Sequence, residues 1–289
     1  MTARRPGFPA RLDLQSGRPR PATPAGGAVP QRGAAAPSAS VHKPASTAAV
    51  GRVLPVPVAL AIPQGLGMDS AAVRNRMVQK IAAGGIDDAA VLAALQAVER
   101  HRFVDSALVN QAYEDTSLPI GLEQTISKPS VVARMLSLLR AGLVTGDAPM
   151  GGRLLEIGTG CGYQAAVMSH LATEVYSIER LRGLHERARE NLRPFRLANV
   201  HLIFGDGMAG FAQGAPYAGI VAAAGGEAVP QAWLDQLAEG GRLAVVVAEG
   251  GVRRARLYTR SGGKAAYRTP FDTAIPMLPG FEKAAEFRL

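Results

Sequence analysis

An apolar run that leads directly into three closely spaced glycines constrains the fold of this chain more than any other stretch. Residues 154–157 (LLEI) are followed by Gly158, Gly160 and Gly162, and a helical pattern begins at Tyr163. A strand, a glycine-rich turn and a helix in this order bring backbone N–H groups up to a nucleotide-like ligand. Glycine suits such a turn because it permits positive φ and has no Cβ to keep the ligand away.

Strands and helices alternate from residue 153 onward, which predicts a mostly parallel sheet with helices on both faces. Five strands are expected, at residues 154–157, 174–178, 200–204, 218–222 and 242–247. Helices are expected at residues 163–171, 181–195 and 230–237. Two further strands, at residues 253–259 and 264–269, flank a Ser-Gly-Gly turn without a helix between them, and they indicate an antiparallel hairpin at the sheet edge. The expected fold class is therefore α/β, a doubly wound sheet of seven strands.

Helices are also expected ahead of this sheet. Apolar residues at helical spacing predict one helix over residues 71–83, which stops at two glycines. Asp87 or Asp88 can cap a second helix, DAAVLAALQAVE, and a third is expected over residues 130–143. Between the second and third helices lies a polar, irregular stretch, residues 102–128.

Residues 1–67 form a tail rich in Pro, Ala, Gly, Ser and Arg, and residues 68–289 form the expected domain. A tail of this composition buries too little apolar area to offset the entropy of ordering it, so we expect disorder. Either the tail is a real flexible extension, or Met68 is the true start and the upstream residues are a mis-assigned start. An arm that contacts RNA or acidic partners is a third interpretation.

The net charge of +9 suggests nucleic-acid binding until it is located along the chain. Residues 1–68 hold eight basic residues and one acid, so the remaining domain is close to neutral and gives little support for a nucleic-acid face. No run of about 18 consecutive apolar residues occurs, so no membrane span is expected. The single cysteine, Cys161, excludes an internal disulfide and suits a reducing compartment, which points to the cytoplasm.

Two acidic residues follow the next two strands of the expected sheet. Glu179 lies 21 residues after Gly158, where a doubly wound fold presents a carboxylate to ribose hydroxyls. Asp206 lies between two glycines just after the third strand, where it can accept a hydrogen bond from an adenine amino group. A helix-capping glutamate and a plain Asx turn are the alternative interpretations of these two residues.

The glycine spacing distinguishes two nucleotide-type ligands. Dinucleotide sites normally have the pattern G-x-G-x-x-G, whereas this chain has G-x-G-x-G. Glu156, two residues before the first glycine, adds a negative charge near the place of a pyrophosphate. A cationic ligand tolerates that charge and a diphosphate does not, so the expected cofactor is S-adenosylmethionine.

Five segments in order carry a family resemblance. They are residues 101–136 (HRFVDSALVNQAYEDTSLPIGLEQTISKPSVVARML), LLEIGTGCGYQAAVMSHL, YSIER, NVHLIFGDG and AIPMLPG. Over residues 68–289 the chain resembles the protein-L-isoaspartate O-methyltransferases, and the glycine loop alone would indicate only a class I methyltransferase of Rossmann-like fold. The block GLEQTISKPS, residues 121–130, is what narrows the resemblance.

The resemblance implies repair of damaged proteins and peptides. Members of this family methylate the free α-carboxylate of an L-isoaspartyl residue, and the ester then collapses to a succinimide that can reopen to normal aspartate. The resemblance also assigns Ser127 as the active-site serine, with Thr125 and Ile126 beside it at the substrate. Its expected cofactor-binding residues are Glu156, Gly158, Thr159, Gly160, Gly162, Glu179, Asp206 and Gly207.

The implied chemistry agrees with the residue types present. A carboxylate with a pKa of about 3.3–3.7 is already ionised at neutral pH, so no strong base is needed, and no His/Asp pair or metal-ligand cluster stands near the motif block. We expect the Ser127 hydroxyl to orient the substrate carboxylate rather than act as a nucleophile. The alternative for Ser127 is an N-cap of the following helix, for which Ser130 is better placed. Residues 118–127 are the candidate for a loop that closes over the ligands.

A few positions depart from the family pattern and keep other functions open. Ala218, Ala222, Gly225 and Lys128 stand where the family usually has aspartate, threonine, a nearby proline and glutamine. One alternative is a class I methyltransferase that acts on a small molecule or on RNA. The other is a binding protein that keeps the cofactor but has lost catalysis. The expected partners are isoaspartyl proteins and peptides, with no metal, no membrane and no second copy of the chain.

Overall fold

The computed structural model describes residues 71–143, 150–223, 225–249 and 251–272. Helices α1 (Ala71–Ala83), α2 (Ala89–Ala97) and α3 (Pro129–Arg140) precede the main sheet, as expected. A two-stranded hairpin, β1 (Leu118–Gly121) and β2 (Gln124–Ile126), lies within the stretch that the sequence left irregular. The tail, residues 1–67, and the segment AIPMLPG, residues 274–280, lie outside the described residues.

The seven expected strands form one sheet in the order β5-β4-β3-β6-β7-β8-β9. The strands are β3 (Met150–Ile157), β4 (Ala172–Glu179), β5 (Val200–Phe204), β6 (Tyr217–Ala222), β7 (Leu237–Glu249), β8 (Val252–Ser261) and β9 (Lys264–Asp272). The intervening helices are α4 (Tyr163–Ser169), α5 (Arg182–Leu192) and α6 (Gln231–Asp235). β3 to β7 pair in parallel, and β7, β8 and β9 pair antiparallel, so the α/β fold class and the late hairpin are confirmed.

The order of the strands locates the binding crevice of the sheet. From β3 the chain passes through α4, β4 and α5 to β5 on one side, and β6 then pairs with β3 on the other side. Such a reversal opens a crevice at the carboxyl ends of the two central strands, and ligands of doubly wound sheets bind there. The glycine loop follows β3 and therefore lies at this reversal.

The core lies between the sheet and its flanking helices. Leu154 and Leu155 of β3 are fully buried on opposite faces, as expected for a strand covered by helices on both sides. On one face α3 packs closely on β6, because a Cβ at Gly219 would come within 2.9 Å of Leu139 Cδ2. Burial of each such leucine contributes about 1.5–3 kcal/mol to stability.

The described residues contain neither a membrane-spanning helix nor a metal cluster. None of their helices is long and apolar enough to cross a bilayer, which takes about 20 residues. Within the same ranges, no three His, Cys, Asp or Glu side chains come together in a way that could hold a metal ion.

The capping of α2 is resolved in favour of Asp88. Its Oδ1 accepts a hydrogen bond from the backbone N–H of Val91 at 3.1 Å, while Asp87 is exposed. Asp88 also forms an ion pair with Arg140 of α3, with 3.0 Å between Nε and Oδ2, and the Arg140 side chain is only 2% exposed. One carboxylate thus caps one helix and joins it to another.

The expectation that Ser130 caps α3 is wrong. α3 begins at Pro129, so Ser130 lies inside its first turn, and the N-cap residue Lys128 makes no side-chain capping bond. Asp115 takes the capping role instead, since its two carboxylate oxygens accept hydrogen bonds from the Ser130 N–H at 2.9 Å and from the Ser130 hydroxyl at 2.7 Å. A carboxylate 15 residues upstream satisfies the helix start, which local sequence spacing does not reveal.

We expect Asp88→Ala to lower the free energy of unfolding by about 2–4 kcal/mol, because the helix loses its cap and Arg140 loses its carboxylate partner. Urea unfolding followed by circular dichroism measures this value. Asp87→Ala is the matched control, and a change within about 0.5 kcal/mol is expected at that exposed position. Equal losses in the two variants would contradict the role given to Asp88.

Candidate active site

A small cavity of about 40 Å³ lies between the β1–β2 hairpin and the glycine loop. Thr125, Ile126 and Ser127 line it from the hairpin side. From the sheet side it is lined by residues expected to bind the cofactor, namely Glu156, Gly158, Thr159 and Gly160. Residues that lie 29 or more positions apart in the sequence, and that were expected to bind two different ligands, therefore meet in one place.

The β1–β2 hairpin covers the glycine loop. Leu118 pairs with Ile126, and the connecting turn places Leu122 and Glu123 at φ values of 50° and 60°. The Ile120 carbonyl accepts a hydrogen bond from Arg187 Nη1 of α5 at 2.7 Å, so the hairpin is tied to the main domain. This contact holds the segment expected to close over the ligands, and it sets the position of the residues on β2.

Gly160 occupies a position that only glycine fits easily. Its φ is +58°, and a Cβ there would come within 3.2 Å of Ile120 Cδ1 in the overlying hairpin. Its N–H donates to Glu179 Oε2 at 2.9 Å. The other oxygen of Glu179 accepts from the N–H of Leu181 at 2.9 Å. The Glu179 carboxylate thus supports both the glycine loop and the start of α5, and each oxygen can still accept from a ligand hydroxyl.

Glu156 is a carboxyl group buried at the carboxyl end of β3. The Ser177 hydroxyl donates to Glu156 Oε2 at 2.5 Å and lies 2.6 Å from Thr159 Oγ1, so two strands and the glycine loop share one hydrogen-bonded chain. Burial raises the pKa of Glu156 to about 8, and the nearby charge of Glu179 acts in the same direction. The hydrogen bond from Ser177 lowers this pKa, but by less than burial raises it.

Several buried polar atoms at this cavity have no hydrogen-bond partner among the described residues. They are Thr125 Oγ1, Glu156 Oε1, Tyr163 Oη and Gln164 Nε2, and all four side chains line the cavity. Most buried polar side-chain atoms in folded proteins are paired, so four orphans in one place call for an explanation. A polar ligand that fills the site and pairs with them is the simplest one.

The structure does not bring Asp206, Gly162 or Gly207 into this cavity. Asp206 is exposed, and its Oδ1 accepts from the N–H of Met208 at 3.0 Å, which is the Asx turn named as the alternative. A Cβ at Gly162 would come within 3.1 Å of Leu192, and one at Gly207 within 2.7 Å of an Ile157 methyl carbon. Both glycines allow close packing around the crevice.

The family model described as protein-L-isoaspartate(D-aspartate) O-methyltransferase matches residues 72–274. The chain belongs to this family. The match covers the N-terminal helices, the hairpin that carries Thr125 to Ser127, and the whole of the seven-stranded sheet. The resemblance read from the sequence motifs is confirmed.

Individual proteins agree with the family assignment. A protein-L-isoaspartate O-methyltransferase from Methylibium petroleiphilum is 52% identical over 259 residues, which cover 90% of this chain and 86% of the relative. Another from Leptothrix cholodnii is 62% identical over 183 residues, which cover 63% of this chain and 64% of the relative.

Two solved structures share the fold. One titled as a protein-L-isoaspartate O-methyltransferase has a TM-score of 0.64 at 29% identity, and the match covers 72% of this chain and 66% of the other. The second, titled as a putative member from Plasmodium falciparum in complex with S-adenosyl-L-homocysteine, has a TM-score of 0.62 at 22% identity, with coverages of 71% and 97%. At 22% identity, the second structure supports the fold of this chain and nothing beyond the fold.

Arg100 is a residue of the site that the sequence pattern did not reveal. Its guanidinium is fully buried and donates from Nη2 to the carbonyl of Ser127 at 2.7 Å and from Nε to the carbonyl of Ala112 at 2.8 Å. Its Cζ lies 4.7 Å from the centroid of the Tyr163 ring, at the start of α4. The carbonyls that it binds are 12 and 27 residues further along the chain, beyond the reach of any local motif.

We expect Glu156→Gln to make the ligand-free protein more stable at pH 7. A folded-state pKa of about 8, above the ordinary 4.5, means that the native protein holds a proton that the unfolded chain releases, so wild-type stability falls as pH rises from about 5 to 8. Glutamine keeps the neutral form, and the gain at pH 7 should be on the order of 1–3 kcal/mol.

Thermal unfolding of both proteins at pH 5, 7 and 8.5 measures this difference. The difference in stability between Glu156→Gln and wild type should be small at pH 5 and should grow as the pH rises. Glu190→Gln, at an exposed position of α5, should show no such trend. A constant gap at all three pH values would contradict burial of an ionisable group as the cause.

Proposed function

We propose that this chain is an S-adenosylmethionine-dependent protein-L-isoaspartate O-methyltransferase. It transfers a methyl group to the free α-carboxylate of L-isoaspartyl residues in damaged proteins and peptides. The observation that carries the proposal is the single cavity in which Thr125, Ile126 and Ser127 face Gly158 to Gly160, in a chain that belongs to this family.

The cavity and its surroundings suit S-adenosylmethionine. The unpaired Oε1 of Glu156 can accept from the ammonium group of the cofactor, and a cation there favours the ionised carboxylate. Glu179 retains acceptor capacity for the ribose hydroxyls. The backbone of Gly158, Thr159 and Gly160 lies open to the cavity, so it can approach the cofactor closely. When bound, the cofactor supplies an electrophilic methyl group.

Three further residues are assigned to the cofactor from their places around the crevice. Asp206 accepts from the adenine amino group with the oxygen that Met208 does not use. Gly162 and Gly207 keep the loop close to α5 and to the end of β3, and they act on the cofactor through that packing. Mutation of these residues should change the affinity for the cofactor before it changes the reaction rate.

The hairpin provides the substrate side of the site. The Ser127 hydroxyl and the unpaired Thr125 Oγ1 donate to the oxygens of the substrate carboxylate, and Ile126 covers them from solvent. The carboxylate is ionised at neutral pH, so these residues orient it and need not remove a proton. Good alignment of the reacting groups contributes on the order of 7–11 kcal/mol to reactions of this kind.

The hairpin must move for both ligands to enter. Small-molecule sites typically enclose about 300–1,000 Å³, whereas the cavity beneath the hairpin holds about 40 Å³. Ile120 and Val132 form its apolar wall, so closure over the ligands excludes water from the reacting groups. Exclusion of water helps because the opposite charges of a carboxylate and a sulfonium cancel during the transfer.

Two of the departures from the family pattern, Ala218 and Ala222, are not among the residues that line the cavity. Ala218 lies near the amino end of β6. A Cβ added at Gly152 would come within 3.3 Å of the Ala218 Cβ, so these two residues face each other. Ala222 is fully buried in the same strand, and Ala223 is the residue of this region that lines the cavity. These positions therefore give no separate support to a lost activity or to another substrate.

We also propose that the protein acts as a cytoplasmic monomer. The site is lined by residues of a single chain, so no second copy is needed to complete it. The lone thiol, Cys161, is buried beside the glycine loop, where burial raises its pKa and keeps it unreactive, as suits a reducing compartment. Light scattering on the purified protein tests the oligomeric state, and a mass twice that of the chain would contradict a monomer.

Methyl transfer from labelled S-adenosylmethionine to a synthetic isoaspartyl peptide tests the proposed function. We expect turnover with this peptide and none above background with its aspartyl twin, because only the isoaspartyl linkage leaves a free α-carboxylate. Equal turnover of both peptides would indicate another substrate. Cofactor binding without turnover of the isoaspartyl peptide would indicate a binding protein that has lost catalysis.

We expect Ser127→Ala to lower kcat/KM for the isoaspartyl peptide by roughly 10²-fold, since one donor to the reacting carboxylate is lost. The affinity for S-adenosylhomocysteine, measured by calorimetry, should stay within about threefold of wild type, as expected for a residue with no cofactor contact. Ser130→Ala is the control, because Ser130 lies three residues away and bonds to Asp115 instead. Wild-type kinetics in Ser127→Ala would remove this assignment.

A further inference from the structure

Arg100 carries a buried positive charge at an unusual cost. Its side chain is fully buried, and it forms no ion pair with a carboxylate in the part of the chain that the structure describes. Burial lowers the pKa of its guanidinium, although an arginine remains charged in proteins. An isolated buried charge costs several kcal/mol. A residue kept at that cost needs a reason other than stability.

The contacts of Arg100 join the substrate side of the site to the cofactor side. One nitrogen binds the carbonyl of Ser127, at the end of the hairpin, and another binds the carbonyl of Ala112. The guanidinium carbon lies over the ring of Tyr163, the first residue of α4 after the glycine loop. Three segments that the sequence does not connect locally thus share one rigid side-chain fork.

We propose that Arg100 is a positioning residue for methyl transfer and that it acts by holding the backbone of Ser127 at a fixed distance from the glycine loop while the hairpin is closed. This inference rests on the proposed function. The planar fork of arginine can bind two carbonyls and stack on a ring at the same time, which the single ammonium of lysine cannot do. Arg100 touches neither ligand and acts through Ser127.

The position of Ser127 matters because the carboxylate that it orients must meet the methyl group in line. A displacement of about 1 Å in such a site can cost roughly 10²-fold in rate. The Ser127 main chain has no other hydrogen bond to a side chain in the described structure, so the contact from Arg100 Nη2 at 2.7 Å is the side-chain contact that fixes this short link between β2 and α3. Loss of that contact should therefore disturb the carboxylate site and leave the cofactor loop in place.

Arg100→Lys tests the inference, with Arg140→Lys as the matched control. Arg140 is equally buried but pairs with Asp88, away from the cavity. Both variants should unfold at a lower temperature than wild type. Below that temperature, kcat/KM for the isoaspartyl peptide should fall at least tenfold in Arg100→Lys and stay within twofold in Arg140→Lys. The affinity of Arg100→Lys for S-adenosylhomocysteine should stay within threefold of wild type.

A double-mutant cycle with Ser127→Ala decides whether Arg100 acts through Ser127. If it does, Arg100→Lys should cost less than threefold in a chain that already lacks the Ser127 hydroxyl, because the group that Arg100 positions is then already gone. Losses that multiply in the double mutant would overturn the proposal. So would a kcat/KM loss in Arg140→Lys equal to that in Arg100→Lys, because a general effect of stability would then explain both.

Folding is checked first by circular dichroism, and Arg100→Gln replaces Arg100→Lys in the cycle if the lysine variant does not fold. Failure of both variants to fold would also overturn the proposal, because the role of Arg100 would then be purely structural. Failure of the proposed function can be distinguished from failure of the role of Arg100. A wild-type protein that does not methylate the isoaspartyl peptide would remove both, whereas an active wild type with a multiplicative cycle would remove only the role of Arg100.

Discussion

The organisation of the site depends on the Glu156 carboxyl group, which is buried where the central strand meets the glycine loop. Ser177 of β4 bonds to it, and Thr159 of the loop bonds to Ser177, so the loop is joined to β3 and β4 by side chains as well as by backbone. A buried carboxylate with a single good donor is costly, which is why its pKa lies near 8. The same shortage of partners leaves Oε1 free to meet a cationic ligand. The buried Glu156 carboxyl group thus lowers the stability of the ligand-free protein and provides an acceptor for the ligand.

The hairpin above the loop solves a different problem, which is how one cavity can serve both a cofactor and a protein substrate. Ile120 covers Gly160 from above, Thr125 lies in the returning strand, and Ser127 directly follows that strand. The residues that grip the substrate are thus carried by the same element that closes over the cofactor. Arg187 is the contact by which α5 ties this element to the main domain. Opening the hairpin therefore exposes both halves of the site together.

Much of the fold could be predicted from the sequence because apolar periodicity and glycine placement are local signals. β5 was predicted residue for residue, and the late antiparallel hairpin followed from two strand patterns with no helix between them. The β1–β2 hairpin could not be predicted because its strands have only four and three residues. Its turn also has Leu122 and Glu123 at positive φ, where glycine or asparagine would have marked a hairpin. The capping of α3 by Asp115 could not be predicted either, because Asp115 lies 15 residues before Ser130, whose N–H it accepts from.

The two buried arginines show why a site residue such as Arg100 is harder to predict than a structural one. Arg140 lies on the apolar face of an evident helix and has a carboxylate for a partner, so its role is to join α2 and α3. The described hydrogen bonds of Arg100 go to two carbonyls and its ring contact to Tyr163, and every residue has a carbonyl, so no residue type marks its hydrogen-bond partners. Charge pairing can be searched for in a sequence, whereas carbonyl binding cannot. A buried arginine that lacks a carboxylate and holds the backbone of an active-site residue is thus visible only once the chain is folded, and in this family member it joins the two halves of the site.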